Sequence, residues 1–177
     1  MANKVLNITT DEVATSRVSK KINVSNLYSN ENKVFMILIS VFWMFYWLLN
    51  FIDKVIVEPT FLWAGRDRLT QFTDYFNSIG ITNNFIVYSV LFFVSLLELT
   101  AFVVALLSVV AAIQNKFETA RKFFFYTVIL SLSIFTFFTL GDQVFGDRFE
   151  LMEHTIYWGI TIVAWLAYDH FYKLSTE

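Results

Sequence analysis

The sequence predicts an all-α integral membrane protein: a four-helix bundle of spans, with an interfacial amphipathic helix between spans one and two. Three observations predict it. Of 177 residues, 56% are hydrophobic and only 16% charged, which departs from a soluble domain in both directions. Four apolar stretches of spanning length are separated by polar segments. With 21 Phe and 5 Trp but only 5 Gly and 1 Pro, the spans should be bulky, mostly unbroken helices, and the discontinuous helices of transporters are not expected.

Residues 1–33 are polar, rich in Asn, Ser, Thr and Val, and lack the early apolar core of a cleavable signal. They are expected to remain as a cytoplasmic leader ahead of a bundle of residues 34–177. Thr10, Asp11 and Glu12 suit the opening of a short helix carrying Val13, Val18 and Ile22, with Lys20 and Lys21 placed to touch anionic lipid. These apolar residues are too sparse to bury themselves, so the leader is expected to dock on a partner.

The first span covers about 34–57, and its second half gathers Trp43, Tyr46, Trp47, Asn50, Asp53 and Lys54 near one face. Two readings stay open. Trp and Tyr at this depth form an interfacial belt in many spans, with Asp53 and Lys54 beyond the hydrocarbon. Alternatively, the stripe is an aromatic and polar groove that accepts a flat headgroup such as a quinone or a lipid, although nothing in the spacing selects quinone.

Beyond Glu58 and Pro59, Leu69, Phe72, Phe76 and Ile79 recur at helical spacing opposite Arg68, Gln71 and Asp74. This segment is too short to span and is ended by Gly80, so it should lie on the membrane surface, where it is placed to lid a site beneath it.

The second span, about 85–113, carries Glu98 near its middle. An ionised carboxylate at that depth costs about 2.5 kcal/mol or more, so Glu98 is expected to be protonated, hydrogen-bonded or turned toward a polar interior. Ser95, Glu98, Ala101, Ala105, Ser108 and Ala112 share a stripe, and such small residues let a neighbouring helix approach closely. Glu98 therefore faces the bundle, either as a structural hydrogen bonder or as a proton-handling group. Ser131 and Ser133 of the third span (about 123–140) and Thr161 of the fourth (about 150–172) are its expected partners. Lys54 is expected to fall about 15 Å short of it in depth.

Between spans three and four lie Asp142, Asp147, Glu150, Glu153 and His154. Asp147 followed by Glu150 matches an acidic helix start in capping-box form. Glu150 and His154, four apart on one face, also have metal-ligand spacing, with Asp142 or Asp53 as outside ligands.

Basic residues set the orientation. Lys4, Arg17, Lys20, Lys21 and Lys33 precede the first span, and Lys116, Arg121 and Lys122 lie between the second and third. Both termini are therefore expected in the cytoplasm, in a multi-pass cell-membrane protein. Zero Cys excludes disulfides and thiolate metal or iron–sulfur ligation within the chain; two His cannot furnish a three-His centre, and a net charge of −2 gives no footprint for nucleic acid.

The long first outer loop with its F-x-x-x-G turn, Phe76 to Gly80, followed by a span carrying an acidic residue, resembles the DoxX-like family of small four-helix membrane proteins, which includes the DoxD-type subunit of thiosulfate:quinone oxidoreductase. The resemblance covers roughly residues 43–107. Family members typically place Gly-x-x-Lys near the end of span one, where Lys54 fits and Phe51 replaces the Gly, and Gly after the acidic position, where this chain has Thr100 and Ala101. The resemblance implies a quinone-linked or redox-associated subunit, with Lys54 and Glu98 as the transferable positions.

Two function classes follow. One is an accessory, non-catalytic subunit of a larger membrane respiratory or metallo-oxygenase complex, its chemistry and cofactors supplied by partner subunits that the leader contacts. The other is a quinone-associated redox subunit in which Glu98 handles protons. The absence of Cys and the scarcity of His favour the first.

Overall fold

The computed structural model describes the backbone of residues 9–55 and 67–176, and the side chains of 30–55 and 67–176. Among the described residues the chain is entirely helical: α1 (Thr9–Val55), α2 (Arg68–Ser78), α3 (Asn84–Ile113), α4 (Phe117–Phe145) and α5 (Arg148–Thr176). Three stretches are long and apolar enough to cross a membrane, Asn30–Val55, Asn84–Ile113 and Phe117–Phe145. α5 is as long as α4 but less apolar, because Arg148, Glu150, Glu153 and His154 at one end and Asp169, His170 and Lys173 at the other shorten its apolar stretch.

Among the described residues the leader and the first span are one helix: from Thr9 the backbone helix passes residue 33 without a break, where the sequence suggests a short separate helix. Residues 56 and 57, the expected end of the first span, and residues 60–66 ahead of α2 lie outside the described residues.

α1 packs on α3 and α5, and α4 packs on the same two, so the four long helices close into a ring. α2 lies across one end of that ring, called the upper end here, against α3, α1 and α4. The lower end carries the tight α3–α4 turn, where Asn115 takes a left-handed φ of 59° and the amides of Asn115 and Lys116 donate to the carbonyls of Ala112 and Ala111. An asparagine tolerates that conformation better than most residues.

The small-residue stripe of α3 does what its spacing predicts. Glu98, Ala101, Ala105, Ser108 and Ala112 are all buried, while Ser95 sits at the edge and turns its hydroxyl back to the Leu91 carbonyl. Ser40 and Ser108 hydroxyls meet at 3.1 Å across α1 and α3, and the Ser108 hydroxyl lies 2.9 Å from the Ala120 carbonyl of α4. Three helices are thereby drawn together at the lower end. Phe124 stacks on Tyr168 near the two serines, and above them Trp43, Trp47 and Phe135 fill the core. The Trp47 indole, which needs a partner when buried, donates to the Ser131 hydroxyl at 2.8 Å.

The connection into α5 follows its acidic sequence. Gly146 adopts φ 77°, a left-handed conformation that ends α4, and the Asp147 carboxylate then accepts the amides of Phe149 and Glu150. Glu150 is engaged by α2, whose Gln71 donates to Glu150 Oε1 at 2.7 Å.

Candidate functional site

A cavity of about 470 Å³ lies at the upper end, roofed by α2. Tyr46, Asn50 and Lys54, spaced four apart on α1, supply one wall. Glu150, Glu153, His154 and Tyr157 form one face of α5 and supply another, and Phe138 and Asp142 of α4 stand between them. The volume falls in the range of small-molecule sites, and the mix of aromatic walls with a few convergent polar groups is characteristic of them.

Lys54 and Glu98 are the central pair. The Lys54 ammonium donates to Glu98 Oε1 at 2.7 Å, with the Lys54 side chain 6% exposed and the Glu98 side chain fully buried. This overturns the expected 15 Å gap, and the register explains why. Ser40 and Ser108 sit at one level; Lys54 is fourteen residues above the first and Glu98 ten residues above the second, so their backbones differ in height by about 6 Å at 1.5 Å per residue. A lysine stem spans that. The expected partners are engaged elsewhere: Ser131 with Trp47 and the Thr127 carbonyl, Ser133 with the Ile129 carbonyl, and Thr161 with the Tyr157 carbonyl. Glu98 Oε2 is buried and has no hydrogen-bond partner among the described residues. Lys54 itself lines the cavity, 5.7 Å from the centre of the Phe138 ring, so it stands between the cavity and the carboxylate.

The remaining residues of the α1 stripe divide. Tyr46 and Asn50 line the cavity, with the Asn50 amide donating to the Tyr46 carbonyl at 2.9 Å. Trp43 and Trp47 do not line it. They are buried below it, because their large rings are better accommodated against Phe135 than at an interface. Asp53 also faces elsewhere, accepting from Arg68 Nε at 2.6 Å.

α2 is held from two sides. Arg68 reaches Asp53 on α1, and Gln71 donates to Glu150 Oε1 at 2.7 Å and to the Tyr75 hydroxyl at 2.8 Å. Tyr75 donates to Asp147 at 2.7 Å, and its ring stacks on Phe145 with centroids 5.1 Å apart. Burial, and then the bond to Asp147, push the Tyr75 hydroxyl above its ordinary range. The sequence places Arg68 and Gln71 opposite the apolar face of this helix; in the structure they line the cavity together with Phe72, Tyr75 and Phe76. The carboxylates of α1 and α5 draw the polar groups inward.

The residues with metal-ligand spacing share the cavity, but each has its own partner. His154 Nδ1 lies 2.6 Å from Asp142 Oδ2, and Glu150 is bound by Gln71 with Arg68 at 3.9 Å. Among the described residues no three His, Asp or Glu side chains are gathered closely enough to hold an ion. His154 instead forms a histidine–carboxylate pair, its ring 4.8 Å from that of Phe138.

Tyr157, Glu153, Gln71 and Tyr75 belong to the site without having been singled out for it. A signal was present for α5, since Glu150, Glu153, His154 and Tyr157 repeat at helical spacing. None existed for Gln71 and Tyr75, which depend on where α2 folds back. No family model matches the chain, nor does any curated protein or solved structure.

Proposed function

We propose that the chain is a multi-pass membrane subunit that binds a flat, amphipathic ring of the quinone type in the cavity beneath α2. The observation that carries this is the buried Lys54–Glu98 pair, whose lysine lines a cavity of aromatic and polar side chains. The donor set fits such a ring: Lys54 and Asn50 are hydrogen-bond donors for a carbonyl oxygen, and Tyr46, Phe138 and Tyr157 supply ring faces. A quinone, when bound, supplies redox chemistry whose charge balance calls for protons. Glu98 beside Lys54, and His154 beside Asp142, are the groups of this chain suited to hold or move a proton at that point. The contact also joins the two positions that the DoxX-like resemblance singles out, which supports that reading.

In this proposal α5 crosses the membrane too. It packs lengthwise on α1 and α4, and Ile156, Ile160, Val163 and Leu166 give it an exposed apolar face suited to lipid. Lys33, Lys116, Arg121, Lys122 and Lys173 gather toward the lower end, which supports a cytoplasmic placement of both termini. In intact cells a membrane-impermeant thiol reagent should label Asn77→Cys and spare Gln114→Cys; the reverse would overturn the orientation.

A second reading, the accessory subunit of a larger complex, is favoured by α1 itself. Its helix extends from Thr9 well ahead of the apolar segment that begins at Asn30, and an isolated polar helix is poorly stable without a surface to pack on. Deleting residues 1–29 should then release co-purifying subunits, and unchanged co-purification would remove that role.

The binding proposal is tested by equilibrium titration of the purified protein in nanodiscs with a dimethoxy-benzoquinone. Saturable binding near one per chain is expected, weakened about tenfold by Asn50→Leu through loss of one hydrogen bond. Absence of saturable binding to the unaltered protein would overturn it.

A further inference from the structure

α4 meets the cavity with two kinds of side chain. Phe138 and Asp142 stand inside it. Phe137, Leu140 and Val144 also line it, yet they are 57%, 63% and 63% exposed. A side chain that both lines a cavity and is more than half exposed lies at its mouth. Across from them on α3 are Val90, half-buried, and Val94, buried at the back of the opening.

The mouth therefore opens between α3 and α4, and all five of these side chains are apolar. Both helices are long and apolar enough to span a membrane, so the opening faces hydrocarbon. The upper, water-facing side is closed differently. There α2 lies over the cavity, tied down by Arg68 to Asp53, Gln71 to Glu150 and Tyr75 to Asp147.

We infer that the cavity is entered sideways from the bilayer through the α3–α4 cleft, and that its ligand is a tailed amphiphile. Its ring rests beside Lys54 and Asn50, and its hydrocarbon chain lies along Val90, Phe137, Leu140 and Val144. This rests on the ring-binding proposal above and adds to it the ligand's class and its route. A chain in this cleft exchanges lipid contacts for apolar protein contacts at little cost, whereas a chain turned up under α2 would meet Arg68, Gln71 and Glu150 and leave their polar groups desolvated. The tail therefore belongs in the cleft.

Two probes separate this inference from the proposal beneath it: a decyl-substituted dimethoxy-benzoquinone and the same ring without the chain, each titrated into nanodiscs and expressed per mole of ligand in the lipid phase. Leu140→Trp combined with Val144→Trp fills the cleft with lipid-facing bulk while leaving Lys54 and Asn50 untouched. The tailed probe should weaken tenfold or more and the tailless ring less than twofold. If both bind the variant as they bind the unaltered protein, the lateral route is overturned while ring binding stands. If neither binds the unaltered protein, ring binding fails and the inference fails with it. If the variant loses both, a decyl probe with a diazirine at the chain end, photolysed in the unaltered protein, decides: labels on Val90, Phe137, Leu140 or Val144 support the route, and labels on α2 or spread evenly around the helices overturn it.

Discussion

The lower and upper halves of the ring are made from the same helices and pack in opposite ways. Below, Ala105, Ser108, Ala112 and Ala120 are fully or almost fully buried, and the Ser40 and Ser108 hydroxyls bring α1 and α3 into contact. Above, the same two helices face each other through Lys54 and Glu98, and Phe138, Tyr157 and Tyr46 replace the small residues. The distance between packed helices follows the side chains at the contact. Small residues let α3 close on α1 and α4 in the lower half, where rings such as Phe124 and Tyr168 pack between α4 and α5. Rings and long charged side chains line the cavity of the upper half, and α2 covers it. The comparison teaches that a closed end sets the register for an open one: the serine contact fixes the heights at which Lys54 and Glu98 must meet.

The strongest way to break this arrangement is to strand one member of the buried pair. Lys54→Met should destabilise the protein by about 3–5 kcal/mol, since it leaves Glu98 buried without its cation. Glu98→Leu added to Lys54→Met should restore much of the loss, because a desolvated ion pair is replaced by apolar contact. Unfolding in detergent measures both. A single-variant cost below about 1 kcal/mol would mean that the pair is not what holds the upper half.

Added volume should next distinguish the two halves. Ala105→Leu inserts three carbons where α3 is closely packed and should cost about 1–3 kcal/mol. Val90→Leu adds one carbon beside the cavity, where there is room, and should stay within about 0.5 kcal/mol. Equal costs per added carbon would contradict the contrast.

A smaller effect is expected at the roof. Arg68→Gln removes the link from α2 to Asp53, but Arg68 is 28% exposed, so the screened pair contributes about 1 kcal/mol. Amide exchange in α2 should accelerate about fivefold while α3 and α4 keep their protection. Exchange that rises equally in all three would show that α2 does not open by itself.

Much of the lower half was legible in the sequence, because the stripe from Glu98 to Ala112 repeats at helical period and size alone says which face is approached. That α2 covers one end of the bundle was legible too, from its length and its place between two spans, but which of its side chains turn inward was not. The pairing of Lys54 with Glu98 was not. Counting depth from the ends of apolar segments misses it, because α1 and α3 pack with Ser40 level with Ser108, and a few residues of offset amount to the length of a side chain. The division of the aromatic stripe escaped for a related reason: Trp43, Tyr46 and Trp47 share a helical neighbourhood, and only the opposing Phe135 and Ser131 draw the two indoles into the core while Tyr46 is left at the cavity.

The smallest expected effect concerns the first turn of α2. Asp67 caps it: Oδ1 accepts the amides of Leu69 and Thr70 at 3.0 and 3.2 Å, and Oδ2 accepts the Thr70 hydroxyl at 2.7 Å. That hydroxyl and then the Thr70 amide hold the Asp67 carboxyl below its ordinary range. A depressed folded-state value means that the ionised form is favoured by folding, so the contribution is fully present above the ordinary aspartate value of about 3.9 and is lost as pH falls through the folded value. Neutral pH is therefore the protected condition and strong acid the frayed one. Asp67→Ala should raise exchange at the Leu69 and Thr70 amides at neutral pH, relative to their intrinsic rates, and leave the later turns of α2 protected by their own hydrogen bonds. Asp67→Asn keeps an acceptor oxygen and should retain most of the protection while removing its dependence on acid. If the alanine variant exchanges like the unaltered protein, the first turn is held by the Arg68 and Gln71 contacts and not by its cap.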